Sequence, residues 1–367
     1  MFIDNSCVVI SKTRLLTCAL FTNVSKVKCW GGCYQGCGYG NVQNIGSQPG
    51  DMGSNLPFVD LGDFPVVSVS VGNEFACALS DAGRVKCWGT NTVGSLGQGD
   101  TTIRGDSPGE MGSNLPTVDV GDGAPTSVVS VHCGESHVCA VISNGDVKCW
   151  GANINGELGL GDEIDRGEDA NLMGSHLPSL DLGEATTYVI SLSGGYAVCA
   201  VLDDASLICW GDQRSRASGY IPPYGVRGLD RGTMDNIPAV DVGNNGKVLQ
   251  VSVSLGHTCA LRQSREIVCW GHSSSGTFGD GGLAFFFIGT YPTDMGDNLH
   301  VVDIGITTTT SVVSLTSGRY HTCAVISNGD VKCWGSNNWG ELGVEDKINR
   351  GVGNNTMGSY VPSLDFG

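Results

Sequence analysis

The stretch Ala76-Cys77-Ala78-Leu79-Ser80-Asp81-Ala82-Gly83-Arg84-Val85-Lys86-Cys87-Trp88-Gly89 reads as two short strands joined by a tight turn. Asp-Ala-Gly supplies the turn, since glycine accepts positive φ without steric cost. The flanking runs are short, partly alternating and bounded by turn residues, as strands are. The preceding Val66-Val67-Ser68-Val69-Ser70-Val71 is β-branched and alternates in part, so it reads as a further strand.

Working outward, Cys-Trp-Gly recurs six times, at Cys29, Cys87, Cys149, Cys209, Cys269 and Cys333. A second cysteine precedes each one, at Cys18, Cys77, Cys139, Cys199, Cys259 and Cys323. A third marker follows at Met52, Met111, Met173, Met234, Met295 and Met357, usually opening a phrase such as Met52-Gly53-Ser54-Asn55-Leu56-Pro57. Three markers in phase through six copies define a repeat of about sixty residues, and periods of this size mean a propeller, a solenoid or an array. The approximate repeats are 5–61, 62–121, 122–183, 184–243, 244–305 and 306–367. In each, a polar glycine-rich loop follows the hairpin, and a segment such as Val59-Asp60-Leu61 is expected to add a fourth strand. Four short strands per repeat make a propeller blade. The expected fold is therefore all-β, a β-propeller with six four-stranded blades in one domain.

Composition narrows the function. The 367 residues carry 20 basic and 37 acidic side chains, a formal charge of −17. Phosphate binding is driven by Lys and Arg, so a nucleic-acid partner is not expected, nor an anionic membrane surface. No apolar run approaches the roughly 20 residues that span a bilayer. The opening Met1-Phe2-Ile3-Asp4-Asn5 has no basic and apolar leader pattern, so any secretion signal is expected outside this chain.

Gly256-His257-Thr258-Cys259-Ala260-Leu261 followed by Cys269-Trp270-Gly271 resembles the core of regulator-of-chromosome-condensation (RCC1-type) repeats. Asn153-Ile154-Asn155-Gly156-Glu157-Leu158-Gly159-Leu160-Gly161-Asp162 is similar to the loop of those repeats. Asn337 to Gly343 keeps that loop, Ser273 to Gly279 keeps part of it, and Asp212 to Arg216 has lost it. The resemblance implies a closed propeller, typically of seven blades, one more than this chain supplies. The cysteine pairs and the Met-Gly phrase are not general features of the family and resemble a secreted or cell-surface subgroup.

The cysteine spacing makes its own prediction. In an antiparallel hairpin, opposed residues share a constant index sum, and for Cys139 and Cys149 that sum centres on Asn144, where Asn144-Gly145 marks the turn. Opposed non-hydrogen-bonded residues lie within disulfide reach. One staple per blade follows: Cys18–Cys29, Cys77–Cys87, Cys139–Cys149, Cys199–Cys209, Cys259–Cys269 and Cys323–Cys333. Zinc would need two pairs converging on four ligands, whereas these pairs sit on different blades. Regular disulfides persist in oxidising compartments, so an extracellular or cell-surface location is expected. Cys33 and Cys37 are expected to bridge each other. Cys7 and Cys133 have no evident partner and read as buried thiols, with pairing to another chain or an internal bridge as alternatives. Asn23-Val24-Ser25 and Asn354-Asn355-Thr356 are glycosylation sequons.

No nucleophile–base spacing, paired carboxylates or phosphate cradle stands out, so no enzyme, cofactor or metal is expected. His137, His257 and His321 stand two residues before the first cysteine of their repeats, and read as blade-to-blade hydrogen bonders rather than a metal cluster. The acidic run Asp162 to Asp169 lacks the alternating oxygen ligands of a calcium loop. The departure of most interest is repeat five, where Leu283, Phe285, Phe286, Phe287 and Ile288 replace a polar loop. Three consecutive phenylalanines on a surface loop would form an apolar patch, either folded over the neighbouring loop or offered to a partner or sister subunit. Phe2-Ile3-Asp4 and Ser363-Leu364-Asp365-Phe366 both match the strand that ends a repeat, so one strand is surplus or a blade comes from elsewhere. The leading function is a non-catalytic extracellular scaffold, a filament or matrix subunit included. A secreted binding or inhibitor propeller is the second reading, and Ran-type guanine-nucleotide exchange the third.

Overall fold

The computed structural model describes residues 7–364 apart from 13–15, 33–36, 46–47, 49, 122–126, 184–187, 213–215, 221–227, 229–233, 235–236, 244–245, 283–284, 308, 339, 341 and 354. Among these residues there is no α-helix, only strands and single 3-10 turns. No helix is long and apolar enough to cross a membrane. The strands form six separate antiparallel sheets.

Two units are distinguished. Residues 1–181 with 229–231 hold the first three sheets, and residues 182–228 with 232–367 hold the other three. The first unit contains β1 (Cys7–Lys12), β2 (Leu16–Phe21) and β3 (Lys26–Gly31), then β4 (Val66–Gly72), β5 (Phe75–Ser80) and β6 (Val85–Gly89), then β7 (Val128–Cys133), β8 (His137–Ile142) and β9 (Val147–Gly151). The second contains β10 (Val189–Gly194), β11 (Ala197–Leu202) and β12 (Leu207–Gly211), then β13 (Val248–Val253), β14 (His257–Arg262), β15 (Ile267–Ser274) and β16 (Phe285–Ile288), then β17 (Val312–Ser317), β18 (His321–Ile326) and β19 (Val331–Gly335). Each sheet is one repeat, and the fold class is a β-propeller of stapled blades.

The hairpin register is the one the index sum requires. Cys77 faces Cys87, Cys139 faces Cys149, and the other four pairs are likewise directly opposed. The first strand of every blade carries a bulge at its second residue, for example between Val66 and Ser68. A bulge leaves that residue unpaired and bends the strand, and Val67, Val129, Ile190 and Val313 are accordingly exposed.

Two expectations are corrected. Five of the six sheets have three strands, not four. The Val-Asp-Leu segment docks onto the third strand through a single backbone bond, as in Val59 N–H to Val27 O at 2.8 Å and Val118 N–H to Val85 O at 2.8 Å. The physical reason is that its aspartate turns the chain away at once. Asp60 Oδ1 accepts from Gly62 N–H at 2.9 Å, and Asp119 and Asp303 do the same for Gly121 and Gly305. The second correction concerns repeat five. Its phenylalanine run is no surface loop but strand β16, paired along β15 from Gly271–Ile288 to Ser274–Phe285. In repeats two, three and six the same place holds one bridge, Gly89–Arg104, Gly151–Arg166 and Gly335–Arg350. Extending that bridge makes the fourth strand.

Candidate functional site

Within each unit the cores lie between successive blades. Within the first unit, Leu79 and Val85 of one hairpin pack with Val131, Val138 and Trp150 of the next repeat. The tryptophan also ties to the preceding loop. Trp150 Nε1 donates to Ser95 O at 3.0 Å, Trp270 Nε1 to Ala217 O at 2.9 Å, and Trp334 Nε1 to Thr277 O at 3.1 Å. All six staples are formed, with Cα atoms 4.1 Å apart in each. Cys77, Cys87, Cys199 and Cys209 are fully buried in these cores, whereas Cys323 of the sixth staple is partly exposed.

The histidine expectation holds at His257. Its Nε2 lies 2.9 Å from Thr322 Oγ1 of the following repeat and its Nδ1 2.8 Å from Ser254 Oγ. Thr258 Oγ1 donates to Ala217 O of the preceding repeat at 2.7 Å. Burial holds the His257 pKa down at about 3, and that of His137 at about 4. His257 is a neutral joint between repeats, whereas the buried Nε2 of His137 has no hydrogen-bond partner among the described residues, so the expected blade-to-blade bond is not made there. Among the described residues no cluster of three or more histidine, cysteine or carboxylate side chains could hold a metal ion.

The loops of repeats two, three and six share one polar network. Asn153 Nδ2 donates to Asp162 O at 2.8 Å, Asn153 Oδ1 accepts from Leu158 N–H at 2.9 Å, and Arg166 grips the Asp162 carboxylate with two nitrogens at 2.9 and 2.8 Å. Asn91, Asp100 and Arg104 repeat it, as do Asn337, Asp346 and Arg350. The Arg350 hydrogen bond holds the Asp346 carboxyl down at about 2. The acidic run from Asp162 is therefore an internally paired loop. The remaining repeats replace the network differently. In repeat one Tyr39 Oη accepts from Cys29 N–H at 2.9 Å, and in repeat four Tyr220 Oη accepts from Cys209 N–H at 3.1 Å and donates to Pro238 O at 2.7 Å. Repeat five uses β16.

Two further devices escaped the sequence reading. In repeats two, three and six the lysine of Lys-Cys-Trp is a clamp between repeats. Lys86 Nζ donates to Leu61 O at 2.9 Å and Gly112 O at 2.8 Å, and Lys332 Nζ to Ile304 O and Val361 O at 2.9 Å each. Burial, first of all, lowers the Lys86 pKa. Repeat five has Val268 at this place, and Arg262 from the neighbouring strand reaches Val242 O and Gly296 O instead. The second device is a hydroxyl on the first strand. Ser70 Oγ accepts from Cys133 N–H at 2.9 Å, Ser193 Oγ from Val253 N–H at 2.9 Å, and Ser252 Oγ from Ser317 N–H at 2.8 Å. Both signals were present as periodic Lys and Ser, but solvent-facing lysines and strand serines are common enough to hide them.

Cys133 is a free buried thiol, and burial pushes it up to about 12. Its Sγ donates to Ser70 O at 3.4 Å, the arrangement expected of a buried thiol. Cys7 begins β1. Cys37 is disulfide-bonded, whereas Cys33 lies outside the described residues, as do Leu283, Asn354 and Phe2 to Asp4. Asn23 stands exposed in the first hairpin turn. On β16, Phe287 is 47% exposed and its ring lies 4.8 Å from that of His272, while Ile288 packs against the cores on either side.

Comparison with known proteins agrees with this architecture. The profile of the regulator of chromosome condensation (RCC1) repeat matches residues 66–95, 128–157, 248–277 and 312–340, and a second RCC1 repeat profile matches 82–141. The ultraviolet-B receptor UVR8 of Arabidopsis thaliana is 27% identical over 288 residues, covering 78% of this chain and 56% of the receptor. The E3 ubiquitin-protein ligase HERC2 of Homo sapiens is 27% identical over 282 residues, 76% of this chain but 5% of the ligase. This chain thus spans about half of the one relative and a small part of the other. Among solved structures, human WBSCR16 superposes with a TM-score of 0.72 at 18% identity, covering all of this chain and 84% of that one. Prp20p of Saccharomyces cerevisiae, studied for binding to Gsp1p and histones, gives 0.64 at 17% identity over 94% and 76% of the two chains. These likenesses show the fold.

Proposed function

We propose that this chain, whose residues 66–157, 248–277 and 312–340 match RCC1 repeat profiles, is a non-catalytic interaction propeller working in an oxidising, extracellular or cell-surface setting. The observation that carries this reading is the set of six staples, each joining directly opposed residues of a blade hairpin. A chain that places twelve thiols in opposed, core-facing pairs depends on an oxidising compartment to assemble them. The polar groups of its loops are spent on one another and on neighbouring repeats, which suits rigid presentation of a surface. Protein binding by the relatives supports an interaction role, since yeast RCC1 (Prp20) has been solved bound to Kap60. Stapled cores and the acidic charge of −17 weigh against a nuclear exchange factor.

Strand β16 is the contact this reading favours for a protein partner. It is the edge of its sheet, and Gly281 to Pro292 contains no charged residue. An apolar edge strand is a template for pairing with another chain. Secretion from cells with a cleavable leader, followed by non-reducing peptide mapping and partner capture, tests the proposal. Six paired cysteine peptides and a captured protein lost in Phe287→Asp are expected. Reduced thiols in the native, functional material would overturn it.

A further inference from the structure

The first unit holds an open cleft of about 320 Å³ between its second and third repeats. One wall carries Gln98 and Asp119, and the other carries Ala170, Ser175 and His176. The walls meet through backbone. A Cβ added to Gly99 would lie 2.7 Å from Ala170 Cα, so only glycine allows this approach. Gly174 N–H donates to Asp119 O at 3.1 Å, and Gly99 N–H donates to Gly167 O at 2.9 Å. The shape of the cleft is thus fixed by main chain.

Equivalent positions in other repeats show which of these groups the fold does not use. At the place of His176, repeats one and two have Asn55 and Asn114. Their Nδ2 atoms close their own loops, on Gly50 O at 2.9 Å and Gly109 O at 2.8 Å. Repeat three closes this loop by other means, since Asp169 Oδ1 accepts from Asn171 N–H at 2.8 Å and from Asn171 Nδ2 at 2.9 Å. His176 is released by that change. It is exposed, and neither its ring nor Ser175 Oγ has a hydrogen-bond partner among the described residues. Ala170 stands where repeats two and five have Pro108 and Pro292, so the wall lacks a proline ring.

The chemistry of the lining selects a class of ligand. Asp119 Oδ1 accepts from Gly121 N–H at 2.8 Å, and its second oxygen accepts from none of the described residues. Gln98 offers both a donor and an acceptor, and is held only by Nε2 to Pro116 O at 3.4 Å. An anion would meet the Asp119 carboxylate, and the N–H groups of Gly97, Gly99 and Gly174 are already spent on backbone carbonyls. A cation would meet Lys148, whose Nζ sits on Val120 O at 2.8 Å, beside Asp119. An apolar ligand would find little beyond Ala170, because Met173 is only 5% exposed. A neutral ligand with several hydroxyls answers every group present.

We propose that this cleft binds a neutral saccharide by a single sugar ring. Ring hydroxyls donate to the open oxygen of Asp119 and exchange hydrogen bonds with Gln98, Ser175 and His176. The volume lies at the lower end of the roughly 300–1,000 Å³ usual for ligand sites, which suits one ring rather than a chain. A free sugar and the terminal residue of a glycan present the same ring chemistry. The site is in the first unit, whereas β16 belongs to the second, and the inference does not rest on the protein-partner role.

Proton NMR of the intact, oxidised chain tests the inference by following the imidazole signal that disappears in His176→Asn. The probes are glucose, mannose, galactose, xylose and N-acetylglucosamine, each also as its methyl glycoside. A saturable shift in the millimolar range with at least one sugar is expected, as befits a small polar ligand. An equal response to the methyl glycoside assigns the site to the end of a glycan, and a lost response assigns it to a free sugar. Asp119→Asn keeps an acceptor for Gly121 N–H and should weaken binding tenfold or more, by roughly the value of a charged hydrogen bond. His176→Asn installs the residue of repeats one and two and should weaken it about fivefold, read by saturation transfer to the sugar. Circular dichroism and the cystine map report that each variant remains folded. Absence of a saturable shift with every sugar overturns the inference, as does wild-type affinity in either folded variant. Tighter binding of methylguanidinium or inorganic phosphate at His176 overturns it as well.

Discussion

Lowering the pH from 7 to 5 should destabilise this protein well before its carboxylates titrate. His257 is completely buried between two hydroxyls, and His137 is 2% exposed. Burial depresses their pKa values to about 3 and about 4, against 6.5 in the unfolded chain, with the nearby His272 adding to the effect at His257. The sign follows directly. Between pH 6.5 and 4 the unfolded chain binds protons at both residues and the folded chain does not, so stability falls as the pH falls. A fully protonated group contributes about 1.4 kcal/mol per pH unit, and since the unfolded histidines are half protonated at pH 6.5, the two together remove roughly 3 kcal/mol between pH 6.5 and pH 5. His132, held at about 4 by burial, acts in the same direction. The shifted aspartates, Asp100, Asp162 and Asp346, are lowered from 3.8 and leave this window untouched. Urea unfolding at pH 7, 6 and 5 with the disulfides intact measures the slope. A His137→Gln, His257→Gln chain should lose most of it. Equal midpoints at pH 7 and pH 5 in the wild type, or an unchanged slope in the double variant, would refute the reasoning.

Further outcomes are expected. Lys86→Met leaves Leu61 O and Gly112 O without their charged donor and should lower stability by about 2–3 kcal/mol; a midpoint within error of wild type would show the clamp to be idle. Replacing Cys139 and Cys149 by serine together opens a ten-residue loop and should cost about 2–3 kcal/mol in chain entropy, read from chemical unfolding; a stabilised variant would contradict it. Arg166→Gln frees the partly exposed Asp162 and should cost about 1 kcal/mol, with faster proteolytic nicking of the 162–169 loop as its local readout. Chains secreted from a eukaryotic host should carry a glycan at Asn23, seen as a mass loss on enzymatic deglycosylation; an unmodified Asn23-Val24-Ser25 peptide would count against the secretory route.

Much of the hairpin was legible because its constraints are local. The index sum through Cys139 and Cys149, and the turn at Asn144, depend on residues within one hairpin, and they set the register. The fourth strand was not legible. Val59-Asp60-Leu61 has strand-like composition, but its fate is decided by the Asp60 turn and by Lys86 from the next repeat, neither of which a periodicity test weighs. The phenylalanine run misled for the converse reason. Its residues are good strand formers, yet its equivalents in other repeats are loops, and only the length of pairing along β15 separates the two outcomes. The joint at His257 was readable as a pair of hydrogen-bonding residues, whereas the Ser70–Cys133 bond spans 63 positions and joins two strands that look alike in every repeat.

The position of the staples sets how the chain would respond to tension. Force applied along a stapled repeat passes from Cys77 to Cys87 through the sulfurs, so the ten-residue hairpin between them never takes up load. An extended chain gains at most about 3.3–3.6 Å per residue, so each cystine withholds about 30 Å of slack. Unravelling would thus release the loops and first strands while every hairpin stayed as a closed bead. A strand built from such units lengthens in short, bounded steps and keeps six intact seeds from which each blade can re-form.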